Sequence, residues 1–163
     1  MIVPSDFSPE EREERAVEFF GKGYNCSQSV AMAFADITGL DESVIAKLST
    51  GFGGGMGRMR EVCGAFSGMT MIAGSISPVK DPTDMKQREA NYALVQEFAA
   101  AFRDANGGSI ICRELLARGA SAPQESESPK PSERNAAFYH KRPCIKIVRN
   151  AARIVAEKIM SLK

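Results

Sequence analysis

An all-α fold is the expectation for this chain, a single-domain helical bundle of about six to seven helices. Three observations predict it: apolar side chains recur at steps of three and four, capping residues bracket those stretches, and no segment alternates with the two-residue period of a strand. With 163 residues, one domain over residues 1–163 is expected. A chain of this size buries roughly 70% of its unfolded surface, so a core needs neither disulfides nor metal to form.

Ser8-Pro9-Glu10-Glu11 is a capping box with proline at the first helical position, and Val17, Phe19 and Phe20 give an apolar face before Gly21 and Gly23 end the helix. Asn25 caps a second helix carrying Val30, Ala33, Phe34 and Ile37, which Gly39 stops. Asp41 opens a short third with Val44, Ile45 and Leu48. The run Gly51-Phe-Gly-Gly-Gly-Met-Gly57 is too glycine-rich for a helix and predicts a loop with positive φ or close backbone approach. It leads into an apolar helix from about Arg60 to Ile76. Asp81-Pro82-Thr83-Asp84 starts a long helix, with Met85, Tyr92, Val95, Phe98 and Phe102 in period, ending near Asn106-Gly107-Gly108. Ser109 caps the next, to Gly119, and residues 120–134 read as a mobile loop without sizeable apolar side chains. The last helix follows Pro143, with Ile145, Val148, Ala152, Val155, Ile159 and Leu162 on one stripe.

With 21 basic and 20 acidic side chains the net charge is +1, which argues against a nucleic-acid partner. The most apolar stretch, Val62 to Ile76, is too short and too broken by glycine and serine to span a membrane. Met1 to Phe7 has neither a positive leader nor an apolar core, so no secretory signal is expected and the cytoplasm is the default location. In that reducing compartment the four cysteines are expected to be thiols, serving as ligands, redox groups or core residues.

Cys26, Cys63, Cys112 and Cys144 have no C-x-x-C spacing, so spacing carries no metal signal. Their positions say more, because each falls in the expected first turn of a helix. Unpaired N–H groups and the helix dipole favour an anion there and lower a thiol's pKa. Four such helix starts converging on one point would suit an anionic cluster, with the glycine loop bringing backbone amides to its sulfurs. Each cysteine taken alone is better explained as a small buried hydrophobe.

Tyr24-Asn25-Cys26-Ser27-Gln28-Ser29-Val30, the loop Gly51 to Arg58, Cys63-Gly64-Ala65-Phe66-Ser67-Gly68 and the lone Cys112 and Cys144 together resemble the C_GCAxxG_C_C family of redox-active proteins over most of the chain. The family label is written Gly-Cys-Ala, whereas this chain reads Cys63-Gly64-Ala65. The resemblance implies redox chemistry at the cysteines. A related domain stands beside haem domains in split-Soret cytochromes, where an iron-sulfur centre is associated with it, so the resemblance also implies cluster binding. The expected function is electron transfer, as a carrier or oxidoreductase, by Cys26, Cys63, Cys112 and Cys144. They would ligate an iron-sulfur cluster, most simply [2Fe-2S], with Gly53, Gly54, Gly55, Arg58 and Gly64 around it. A cluster-free variant pairs the cysteines as dithiol and disulfide, with Cys63 the expected attacking thiol and no cofactor. The alternative is a non-catalytic interaction module with zinc-bound or buried structural cysteines. The expected partner is a redox protein or small electron donor, and the apolar stripes allow a homodimer.

Other features support less. The glycine loop lacks G-x-G-x-x-G and any following Lys-Ser or Lys-Thr, which argues against a nucleotide. Gly64 and Gly68 share a helix face and suit close approach by a neighbouring helix. His140, the one histidine, reads as a solvated loop residue. Lys141, Arg142 and Lys146 could lower the pKa of Cys144 or face an acidic partner. The acidic start and basic end of the chain read as solvated helix faces with at most a weak mutual contact.

Overall fold

The computed structural model describes residues 1–117 and 127–163, and the chain is mostly helical. Nine α-helices lie among the described residues: α1 (Pro9–Gly21), α2 (Cys26–Met32), α3 (Ala35–Thr38), α4 (Glu42–Ser49), α5 (Gly64–Ile76), α6 (Met85–Ala105), α7 (Cys112–Leu116), α8 (Ala136–Lys141) and α9 (Cys144–Ser161). A 3-10 turn, Thr50–Phe52, follows α4. The helical class stands as expected, while the count exceeds six to seven for two physical reasons.

The first is a break at Phe34, whose φ of −119° and ψ of 24° separate α2 from α3. The break lets the Phe34 ring become fully buried, and it frees the Ala33 carbonyl, which accepts a 2.7 Å hydrogen bond from the buried Arg12 guanidinium. The second is α8, whose Asn135 side chain accepts from the Phe138 amide. It is only one and a half turns long and had no apolar period to announce it.

Helix starts moved as well. The chain at Arg60 is left-handed, φ 59°, so α5 begins at Gly64 rather than near Arg60. Helix α7 begins at Cys112 with Ile111 as its cap residue. Ser109 stands two residues before that cap, where its hydroxyl accepts from the Ile111 amide and donates to Glu114. The helix ends at Leu116, and Gly119, its expected end, lies outside the described residues. The expected mobile loop at 120–134 also lies outside them up to residue 126, and 127–134 is without helix.

Helix α2 packs on α1 and α5, α5 on α6 and α9, and α9 on α1. Phe20, Val30, Met69, Ile72, Phe98, Phe102, Val148, Val155 and Ile159 fill the space between them. Gly68 sets the α2–α5 distance, since a Cβ there would lie 2.9 Å from both the Ser27 carbonyl and Val30 Cβ. Among the described residues no helix is long and apolar enough to cross a membrane.

Charges also bind the ends of the chain more firmly than expected from the sequence. Glu13, 3% exposed, pairs with Arg149 at 3.4 Å and with Arg153, joining α1 to α9. Arg12 forms two 2.6 Å bonds to Asp36 while lying 4.5 Å from the centre of the Phe7 ring. Burial works to raise the Asp36 pKa, but the hydrogen bond and charge of Arg12 outweigh it and leave that pKa lowered. A lowered carboxylate adds stability above its unfolded pKa of about 3.9, lost as pH falls through the folded value. Arg12→Met should therefore destabilise the protein by about 1–2 kcal/mol at neutral pH, because Asp36 keeps part of its solvation while the Ala33 carbonyl loses its donor. Urea denaturation from pH 7 to 3 checks this, and the stability difference between wild type and variant should shrink below about pH 4.

Candidate functional site

All four cysteines stand at helix N-termini. Cys26, Cys112 and Cys144 are the first residues of α2, α7 and α9, and Cys63 is the cap residue of α5. The four helix starts meet at one cleft of about 500 Å3, lined by all four cysteines together with Gly53, Gly54, Gly55, Arg58 and Gly64. The nine residues singled out in the sequence are therefore neighbours in space.

Local structure explains how they meet. The glycine loop turns through left-handed residues, Gly54 (φ 64°), Gly55 (72°), Met56 (65°), Gly57 (55°), Arg58 (66°) and Arg60 (59°). Three of these carry side chains, and such strain concentrates at sites that need a fixed shape. Backbone bonds from Gly57 to Gly51 (2.8 Å) and from Glu61 to Gly55 (2.9 Å) hold the turns. Beyond the loop, Val62 and Ile111 form an isolated antiparallel bridge. The Cys63 amide donates to the Ile110 carbonyl at 2.8 Å and the Cys112 amide to the Glu61 carbonyl at 2.6 Å, which ties the start of α7 to the start of α5.

Glycine is required where the elements touch. At Gly55 a Cβ would lie 2.6 Å from Cys112 Cβ and 2.7 Å from the Glu61 nitrogen. At Gly64 it would meet the Phe52 carbonyl oxygen at 2.9 Å, the Ser27 nitrogen at 3.1 Å and Cys26 Cβ at 3.3 Å. Gly64 thus serves the approach of α2, which brings Cys26 beside Cys63.

The thiols differ in character. Cys63 and Cys112 are buried, while Cys26 and Cys144 are half-buried and hydrogen-bond to each other. That bond, with Cys26 as the donor, lowers the pKa of Cys144 against the effect of burial, helped by Arg142, Arg134 and Arg60. The same bond, then burial, raises Cys26 well above an ordinary thiol. Burial pushes Cys63 up to about 12, although the Ala65 and Phe66 amides face its sulfur. Cys112 is also raised by burial, against the opposing charge of Arg60, whose guanidinium lies 4.0 Å from its sulfur. These environments favour the thiolate form at Cys144, whereas Cys63 was the sequence-based choice of attacking thiol. Iodoacetamide on the reduced, metal-free protein at pH 7 is expected to label Cys144 first and Cys63 last, as peptide mass mapping would read. Labelling of Cys63 first would contradict these environments.

Arg60, Arg134 and Phe138 are among the lining groups that sequence reasoning missed, and Arg142 had only a secondary role there. With Arg58 the cleft has four guanidinium groups, and no acidic residue lines it among the described residues. His140, Lys141 and Lys146 are exposed and do not line the cleft. Among the described residues no three His, Cys, Asp or Glu side chains close on a point as one bound ion would require. The thiols surround a volume.

A family model described as "Putative redox-active protein (C_GCAxxG_C_C)" matches residues 24–158, from the tyrosine before Cys26 to the last turns of α9. No curated protein matches the chain, and no solved structure does.

Proposed function

Because the chain belongs to the C_GCAxxG_C_C family of redox-active proteins, we propose that its four cysteines act as one electron-transfer centre and hold an iron-sulfur cluster, most simply [2Fe-2S]. The observation that carries this reading is the meeting of four cysteines, each from a different helix start, at one cleft with four arginines.

The residues present fit such a group. The donor set is four thiols, the usual ligands of these clusters. Glycines 55 and 64 keep the surrounding backbone too close for any side chain. A bound cluster would supply one-electron chemistry. The chain's residues do the rest: helix N-termini and guanidinium groups offset part of the cost of burying thiolate ligands, and Cys63 and Cys112 lie away from water. Exposed Lys141 and Lys146 beside the rim would face an acidic redox partner.

The contact between Cys26 and Cys144 favours a second reading, in which these two alone cycle as dithiol and disulfide. Cys26 and Cys144 would lose two electrons and two protons to the redox partner and form one S–S bond. Single Cys→Ser variants separate the readings. The cluster reading expects each of the four to lose most of the bound iron and sulfide. Loss of reversible oxidation at Cys26 and Cys144 only, with Cys63→Ser and Cys112→Ser unaffected, would leave the dithiol reading. Unfolding without any redox signal in wild type would point to structural cysteines.

A further inference from the structure

We propose that the outer wall of the cleft, built by Arg134 and Arg142 around Phe138, anchors the oxyanion group of a small acidic molecule beside the Cys26 and Cys144 thiols. This names the ligand class of the same cleft and rests on that cleft being the reactive centre.

Arg134 carries the inference. Its guanidinium lies 4.5 Å from the centre of the Phe20 ring and 4.6 Å from that of Phe138, so both rings contribute to holding its plane. One terminal nitrogen donates to the Tyr24 carbonyl at 3.2 Å. The other, Nη1, is buried and has no hydrogen-bond partner. A buried charged donor left unmatched is costly, and among the described residues no carboxylate lines the cleft. Arg142 lies 4.4 Å from the same Phe138 ring, with a 3.2 Å bond to the Ser132 hydroxyl. Two like charges are thus held against one ring at the cleft wall, an arrangement that an oxyanion between them would stabilise through charge-assisted bonds. Ser132, also on the wall, is a further hydroxyl within the set.

Position ties the site to the chemistry. Arg134, Arg142, Cys26 and Cys144 line the same cleft, so a group bound between the two guanidinium groups shares it with those sulfurs. Arg58 and Arg60 come from the glycine-loop side of the cleft, with Arg60 against Cys112. Arg60 is buried with the thiols, whereas Arg134 and Arg142 are half-buried and can meet a ligand that enters from solvent.

Inorganic phosphate and succinate are the two probes, titrated separately by calorimetry into the full-length protein as purified, reduced and at low ionic strength. At least one is expected to bind, phosphate alone indicating a phosphoryl-type ligand and succinate alone a carboxylate. Arg134→Gln should weaken that binding about tenfold or more, the loss of one charge-assisted bond. Arg134→Lys should restore only part of it, because the planar fork is lost. In wild type, with no substitution to disturb folding, the bound probe should slow iodoacetamide labelling of Cys144, while potassium chloride at equal ionic strength should not. Binding of neither probe would overturn the proposal, as would binding that Arg134→Gln leaves unchanged in a folded variant or that gives Cys144 no protection. Iron, sulfide and reversible oxidation measured on the same sample judge the redox reading separately.

Discussion

Replacing Gly55 by valine is expected to lower the melting temperature by about 5–15 °C and to abolish the redox signal. Two costs add at this position. Its φ of 72° is left-handed, which penalises a residue with a Cβ by about 1–2 kcal/mol and a β-branched one by more. Its Cβ would also lie 2.6 Å from Cys112 Cβ, 2.7 Å from the Glu61 nitrogen and 2.9 Å from the Arg60 carbonyl carbon. Two of these atoms are backbone in the segment that ties α7 to α5, so relief must part Cys112 from Cys63. Forced overpacking costs about 1–3 kcal/mol, and each kcal/mol shifts a domain of this size by about 2–4 °C. Gly57→Ala is the control, with φ 55° but open space around its Cβ. It should lower the melting temperature by only a few degrees and keep the redox signal. Equal effects from both substitutions would show that crowding at Gly55 does not govern the site.

Replacing Arg60 by glutamine is expected to shift the midpoint potential about 60–120 mV more negative. Arg60 is 3% exposed, and its guanidinium lies 4.0 Å from the Cys112 sulfur. A reduced centre carries one more negative charge than an oxidised one, so a nearby fixed cation favours reduction. At an effective dielectric of about 20 and a charge separation of about 6 Å, the interaction is about 3 kcal/mol. Screening and water entry in the variant reduce this, and about 1.4 kcal/mol corresponds to 59 mV for one electron. Spectroelectrochemical titration of both proteins measures the shift. The same substitution at Arg113, whose guanidinium is surface-exposed and paired with Glu61 and Glu127, should move the potential by much less. An unchanged or more positive potential in Arg60→Gln would remove Arg60 from the account.

Much of this arrangement was legible before any coordinates, because its signals are local. Ser8, Asn25, Asp41 and Asp84 each cap the helix that the sequence assigned to them or to their segment. Three of the cysteines follow their cap residues directly, so reading the helix starts also placed these thiols at helix N-termini. What was hidden depends on contacts between distant segments. Arg60 looked like the start of a helix, whereas it closes the left-handed turns of the glycine loop just before the bridge from Val62 to Ile111. One residue per side is too few for an alternating pattern to appear. The break at Phe34 answers to Arg12, twenty-two positions earlier, which takes the freed Ala33 carbonyl. Arg134 stood in a polar stretch read as loop, and its role comes from Phe20 and Phe138 rings that no spacing connects to it. The burial that acts on Cys63, the expected attacking thiol, was hidden for the same reason. Helix position predicts a lowered pKa, but burial reverses that at Cys63, while the neighbouring Cys26 thiol and three arginines favour Cys144.

The most direct test of the central claim is an anaerobic ultraviolet-visible spectrum of freshly purified protein, with iron and acid-labile sulfide counted on the same sample. Four thiolates around one cluster require visible charge-transfer bands that bleach on reduction, with about two irons and two sulfides per chain. A colourless protein that stays free of iron and sulfide, even after anaerobic reconstitution with both, would contradict it.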